Sequence, residues 1–194
     1  MEKYKSDKYL FDRVKTTGCK ESFEMLFDRY YSPLCNFAYL FIKDEDACEE
    51  IVSDVFVNIW KKRKDIEIKT ELKYYLYKST KNQLIGYLRK QKPTTSAHNR
   101  EIVESDIINF QSPETLLIKK ELNSKIKELL DELPKQSGLV LRLKKIDGLR
   151  YKEIAELLNI SEKTVENHIT NALKKIKQLL ENHNELREYF KSLR

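Results

Sequence analysis

The stretch EIAELLNISEKTVENHI, residues 153–169, restricts the fold of this chain more tightly than any other. Placed on a helix, Ile154, Leu157 and Leu158 share one side, and Ala155 is small where a second helix must come close. Asn159 tolerates the left-handed backbone that most residues resist. Ile160 plugs the junction, and the Ser161 hydroxyl is placed to cap a second helix, along which Val165, Ile169 and Ala172 face inward. The spacing predicts a helix over 151–158, a tight turn, and a second helix after Ser161: a helix-turn-helix. The outward side of that second helix carries Lys163, Thr164, Glu166, Asn167, Thr170, Asn171 and Lys174, with His168 near its edge. Such a polar set suits a DNA major groove, where Asn pairs with adenine, Lys with guanine or phosphate, and Glu accepts from cytosine. The bland alternative is a helical hairpin with a solvated face. The sequence of small residue, turn residue, cap and polar face argues against it.

The rest of the chain is helical in pattern as well. Only 4 Gly and 4 Pro occur in 194 residues, and such sparse punctuation favours long helices over a sheet. Apolar residues recur at helix spacing from about Phe11 to Gln91, with Pro33 interrupting the run as a kink or a restart. A further helix is expected from about Asp44 to Arg63, then a polar connection over Lys64 to Lys69, then a helix capped by Thr70 and reaching about Lys90. The segment KPTTSAHNREIVESDIINFQSP is polar, holds two prolines and reads as a linker. From Glu114, a helix bearing Leu116, Leu117, Leu122, Ile126, Leu129 and Leu130 leads to Leu133-Pro134. Another runs through Leu139, Leu141, Leu143 and Ile146 to Asp147-Gly148, where glycine can end it. The expected fold is all-α: two small helical domains, 1–92 and 113–194, joined by a flexible acidic linker, 93–112, with the helix-turn-helix in the second.

The net charge of +6 favours a polyanionic partner only weakly, but the charges come in blocks. Asp44 to Asp54 holds six acids and no base, whereas Lys61 to Lys92 holds eleven bases and three acids. In the acidic block, Ala47, Ile51, Val52, Val55, Phe56 and Ile59 fill one arc of the helical wheel. Asp46, Glu50 and Asp54 lie opposite at i, i+4, i+8, with Val57 exposed among them. Like charges stacked this way cost helix stability. Two readings stand, a solvated face or a docking surface for a basic protein. In TELKYYLYKSTKNQLIGYLRKQK, Leu72, Leu76, Leu84 and Leu88 supply a core face. Tyr74, Tyr75, Tyr77 and Tyr87 alternate with Lys73, Lys78, Lys81, Arg89, Lys90 and Lys92. Rings among cations suit single-stranded DNA, whose bases stack and whose phosphates pair with the cations. The competing reading places one or two of the tyrosines in the core.

These segments resemble those of an extracytoplasmic-function (ECF) sigma factor of bacterial RNA polymerase. DACEEIVSDVF is similar to the family's polymerase-binding signature, and TELKYYLYKSTKNQLIGYLRKQK to its promoter-melting segment. LPKQSGLVLRLKKIDGLRYKEIAELLNISEKTVENHITNALKKIK is similar to its second DNA-binding domain. The matches occur in family order over roughly residues 20–92 and 113–180. Three departures stand out: Ser53 replaces a common glutamine, Gly86 a frequent acid, and Arg150 a usual capping serine. The resemblance implies that Asp46, Glu50, Asp54 and Asn58 dock on core RNA polymerase. It implies that Tyr74, Tyr77, Lys78, Lys81 and Asn82 capture the opened minus-ten element, with Arg89 and Lys90 on phosphate. The residues from Lys163 to Lys174 named above would read the minus-thirty-five element of duplex promoter DNA. The acidic linker would thread the nucleic-acid channel of the polymerase, and an anti-sigma factor would be a further partner.

Other classes fit less well. A response-regulator-type activator needs a receiver domain with alternating strands and helices, and residues 1–92 offer none. A purely structural adaptor leaves the basic aromatic helix unexplained. No catalytic residue is expected, because His98, His168 and His183 are scattered and no glycine-rich phosphate loop occurs. No metal or cofactor is expected either, since Cys19, Cys35 and Cys48 are widely spaced and read as buried thiols. The N-terminus lacks an apolar run of signal-peptide length and no stretch suits a membrane span, so a cytoplasmic, non-membrane protein is expected.

Overall fold

A computed structural model describes residues 5–91 and 133–182. The chain divides into two compact units, Met1–Asp106 and Ile107–Arg194. Among the described residues all regular structure is helical. The linker 93–112, the helix expected from Glu114 as far as residue 132, and His98 and His183 lie outside the described residues.

The first unit holds four helices: α1 (Asp7–Thr17), α2 (Lys20–Tyr39), α3 (Glu45–Lys62) and α4 (Leu72–Gln91). Ser6 caps α1 by accepting from the Tyr9 N–H at 3.3 Å. Gly18 ends it at φ 65°, a left-handed conformation that glycine adopts without steric cost. Pro33 lies inside α2, which runs on as one helix from Lys20 to Tyr39, so the proline does not restart it. Asp44 caps α3 through the Ala47 N–H at 3.0 Å. Acids in the first turn of α3 and Lys61 and Lys62 in its last turn both complement the helix dipole. The cap of α4 differs from expectation. The Tyr75 N–H bonds the Glu71 carbonyl at 3.1 Å, so Glu71 holds the position assigned to Thr70.

The core of this unit forms where α2 packs on α1, α3 and α4. Every apolar residue placed on the inner arc of α3 is buried. Phe56 meets Phe23 and Phe27, with ring centres 5.9 and 4.9 Å apart, and Phe37 meets Tyr77 edge-on at 5.1 Å. Asp7, at the start of α1, accepts hydrogen bonds from both Arg29 and Tyr30 of α2, which ties the first helix to the second.

The second unit holds α5 (Lys135–Lys145), α6 (Tyr151–Leu158) and α7 (Glu162–Asn182). Leu139, Leu143, Leu149, Ile154, Leu157, Val165 and Ala172 are fully buried between them. Burying each such leucine or isoleucine contributes roughly 1.5–3 kcal/mol. Asn159 adopts φ 57° and ψ 44°, the left-handed turn expected from its side chain. Ser161 accepts from the Thr164 N–H at 3.0 Å and caps α7. Ile146 departs from expectation: α5 ends at Lys145, and Ile146 is 67% exposed rather than part of the apolar face. At the start of α6, Glu153 accepts from the Arg150 N–H at 2.7 Å. The reciprocal half of a capping box needs an acceptor on residue 150, and a guanidinium has none.

Candidate nucleic-acid interface

The turn at Asn159 sets α6 against the N-terminal half of α7 and leaves one side of α7 in solvent. Lys163, Glu166, Asn167, Thr170, Asn171 and Lys174 are exposed along that side, at the i, i+3, i+4, i+7 spacing of a single stripe. Thr164 is half-buried. Several of these groups are already paired. Lys163 bonds Glu166 at 2.7 Å, Thr164 shares a hydroxyl contact with Ser161 at 2.8 Å, and the Thr170 hydroxyl donates to the Glu166 carbonyl at 2.9 Å. His168 does not belong to the stripe. It is half-buried, and its Nδ1 lies 3.2 Å from the Ser137 Oγ on α5.

On α3, Asp46, Glu50 and Asp54 are exposed, with Val57 among them at 45% exposure. Asn58 diverges from this stripe. Twelve residues of α-helix rotate it about 120° from Asp46. It lines a groove of about 380 Å³ between α3 and α4, together with Lys62, Tyr75, Ser79 and Asn82. Asn58 and Asn82 thus line the same groove, and Asn58 adjoins the end of the acidic stripe one turn beyond Asp54.

On α4 the tyrosines separate into two groups. Tyr77 is 1% and Tyr74 4% exposed, so the two rings expected to stack on DNA are core residues. They continue the inner stripe of Leu76, Thr80 and Leu84, and Tyr77 is held by Phe37. Tyr75 and Tyr87 keep part of their surface in solvent, and Tyr75 faces the groove. Lys78, Asn82, Arg89 and Lys90 are exposed and Lys81 is half-buried. The Lys78 ammonium sits 5.7 Å from the centre of the Tyr74 ring. Sequence reasoning missed Tyr75, Ser79 and Lys62 as groove residues. The signal for Tyr75 was present, since it falls off the stripe of Leu72, Leu76 and Leu84 by one residue.

No group of His, Cys, Asp or Glu among the described residues could hold a metal ion. All three thiols are free. Burial pushes the Cys48 thiol up to about 12 and the Cys35 thiol up to about 11, which favours the protonated form of both at neutral pH. No helix among the described residues is long and apolar enough to cross a membrane.

These features define a class: an all-helical, two-unit DNA-binding protein, with a helix-turn-helix in one unit and an acidic helix beside a polar groove in the other. The family models for Sigma-70 region 2 and Sigma-70 region 4 match residues 26–94 and 124–176. The chain belongs to the sigma-70 family, in its ECF group. The RNA polymerase sigma-H factor of Pseudomonas aeruginosa is 23% identical over 184 residues, covering 90% of this chain and 94% of that protein. The ECF RNA polymerase sigma-E factor of Escherichia coli is 23% identical over 181 residues, covering 89% and 93%. Among solved structures, CnrH in complex with the cytosolic domain of CnrY aligns at a TM-score of 0.55 and 22% identity, over 92% of this chain and 99% of that one. The sigma factor RpoE from Bartonella quintana, in complex with the anti-sigma factor NepR, aligns at 0.55 and 21%, over 83% and 98%. Both show the same fold. The chain is a sigma factor: it binds core RNA polymerase and directs promoter-specific initiation of transcription through DNA binding. Sigma factors are non-catalytic regulators of the polymerase.

Proposed function

We propose that this sigma factor divides its work among three surfaces. Asp46, Glu50, Asp54 and the exposed Val57 dock on a basic surface of core polymerase. The groove between α3 and α4 receives the melted minus-ten strand, with Tyr75 stacking on a base and Asn58, Ser79 and Asn82 contacting its edge. Lys62, Lys78, Arg89 and Lys90 hold its phosphates. The exposed stripe of α7 reads the minus-thirty-five element as duplex. One observation carries this division: α3 holds Asp46, Glu50 and Asp54 exposed in solvent, while Asn58 and Lys62, farther along the same helix, line the groove with α4. A single helix can therefore serve a protein and a nucleic acid on adjoining surfaces.

By likeness to CnrH and RpoE, whose structures hold partner proteins, the chain is also bound by an anti-sigma factor. It acts in the cytoplasm, where transcription takes place. The domain limits 1–92 and 113–194 belong to the same proposal.

Two substitutions test the assignment. Asp54→Lys reverses a charge in the docking stripe and is expected to lower affinity for core polymerase by about tenfold or more. It should leave the promoter preference of the remaining holoenzyme unchanged. Asn167→Ala is expected to alter preference at one upstream base pair, costing about 1–3 kcal/mol of discrimination there. Unchanged core affinity for Asp54→Lys would refute the docking stripe. A uniform loss across promoters for Asn167→Ala would make that residue a positioning contact.

A further inference from the structure

Ser137 lies in the first turn of α5, at 3% exposure. A hydroxyl taken out of water needs a hydrogen-bond partner. Ser137 finds one on another helix, the Nδ1 of His168 at 3.2 Å. Three arrangements of hydrogens satisfy this contact. In a neutral ring with its hydrogen on Nε2, the serine donates to Nδ1. In the other neutral tautomer Nδ1 donates to the serine and Nε2 is a bare acceptor, and in a charged ring Nδ1 donates and Nε2 carries a hydrogen as well. Nε2 is a donor in two of the three, and a neighbour that only accepts selects those two.

His168 follows Asn167 on α7 but is turned about 100° from it, toward α5. It is thus at the flank of the exposed stripe, and the Ser137 contact keeps it there. A helix lying in a major groove presents its central stripe to base edges and its flanks to the groove walls, which are sugar and phosphate. Phosphate oxygens accept hydrogen bonds and donate none.

We propose that His168 donates from Nε2 to a backbone phosphate beside the minus-thirty-five element, and that Ser137 is the positioning residue that holds the imidazole for this contact. The proposal rests on α7 reading the upstream element, and gives one residue of that face a different task. His168 fixes register and depth in the groove and carries no base preference. Ser137, on a helix with no assigned contact to DNA, acts through it.

The test uses the full chain with core polymerase and a promoter fragment selected from genomic DNA by run-off transcription. His168→Asn keeps an amide at the position of Nδ1, able to face Ser137, and removes the donor at Nε2. His168→Gln keeps a donor at the position of Nε2 and gives up the serine contact. Affinity is expected to fall about tenfold for His168→Asn, by the same factor on promoters with different upstream elements, and to stay within about threefold for His168→Gln. A unit that fails to fold would lose both. Ser137→Ala should lose part of the same affinity, and lose nothing more once His168→Asn is present. Ethylation of one phosphate flanking the element should block binding of the wild type and leave His168→Asn indifferent. The opposite order, with Asn harmless and Gln costly, would make the pair purely structural and overturn the proposal. Changed base preference would make His168 a base reader and overturn it as well. If Asn167→Ala shifts promoter preference while His168→Asn is silent, the phosphate contact alone fails. If both are silent, the assignment of α7 falls with it.

Discussion

Under the proposed assignment, the two units bind DNA in different ways. In the second, recognition is carried on one side of one helix, and that helix is placed by the turn at Asn159 just before it. In the first, the same helix faces contribute to both core and function, and the division depends on what packs against them. Tyr77 and Tyr75 are two residues apart on α4, yet one is sealed against Phe37 and the other looks into the groove. The contrast teaches that an exposed polar surface can be set locally, as in α7, or by how three helices fill a core.

That contrast can be broken most directly at the tyrosines. Tyr77→Ala removes a fully buried ring and is expected to cost about 3–5 kcal/mol of stability in the first unit. Tyr75→Ala should cost about 1 kcal/mol of stability or less, yet lower promoter opening about tenfold, the worth of one lost base stack. Thermal melting and permanganate footprinting of the opened promoter would measure the two effects. If Tyr77→Ala melts like the wild type, or Tyr75→Ala opens promoters normally, the division on α4 is wrong.

Alkaline pH should separate the units next. All three cysteines lie in the first unit. Cys35 and Cys48 are pushed by burial from the ordinary value of 9.0 up to about 11 and about 12, and burial raises Tyr31 too. The folded state then keeps protons that the unfolded chain releases. Stability from these groups is complete below about pH 9 and is lost as pH rises through 11 to 12. The melting temperature of the first unit should fall over that window, with a shallower slope in Cys48→Ala, while the second unit lacks this contribution. An unchanged slope in Cys48→Ala would remove the thiol as the cause.

The smallest expected effect belongs to the second unit. Residue 150 holds the extended backbone of a helix cap, φ −78° and ψ 157°, but its side chain makes no capping bond. Arg150→Ser supplies an acceptor opposite Glu153 and should stabilise this unit by about 1 kcal/mol. No gain in denaturant midpoint would mean that the arginine contributes elsewhere what the cap would add.

Legibility followed the same line. The left-handed Asn159, the Ser161 cap, the buried Ile154, Leu157, Val165 and Ile169, and the extent of α3 within a residue at each end were all readable from spacing. Each depends on neighbours within one or two turns. Tyr74 and Tyr77 were misplaced because their burial depends on helices far away in sequence, as the Phe37 ring of α2 against Tyr77 shows. Asn58, which the resemblance places with the acids, also lines the groove with α4, a placement that depends on how α4 packs on α3. Ser137 gave no signal at all, since its partner is 31 positions away.

The pairing of Lys163 with Glu166 and of Ser161 with Thr164 has a kinetic side. An exposed ion pair of this kind is worth roughly 0–1 kcal/mol, so opening it is cheap. Under the proposed role of α7, each encounter with DNA is an exchange of partners, with the old contact ready to re-form the instant the new one fails. A mismatched site therefore leaves no stranded charge to slow departure, and the helix can sample many sequences briefly before it rests on one.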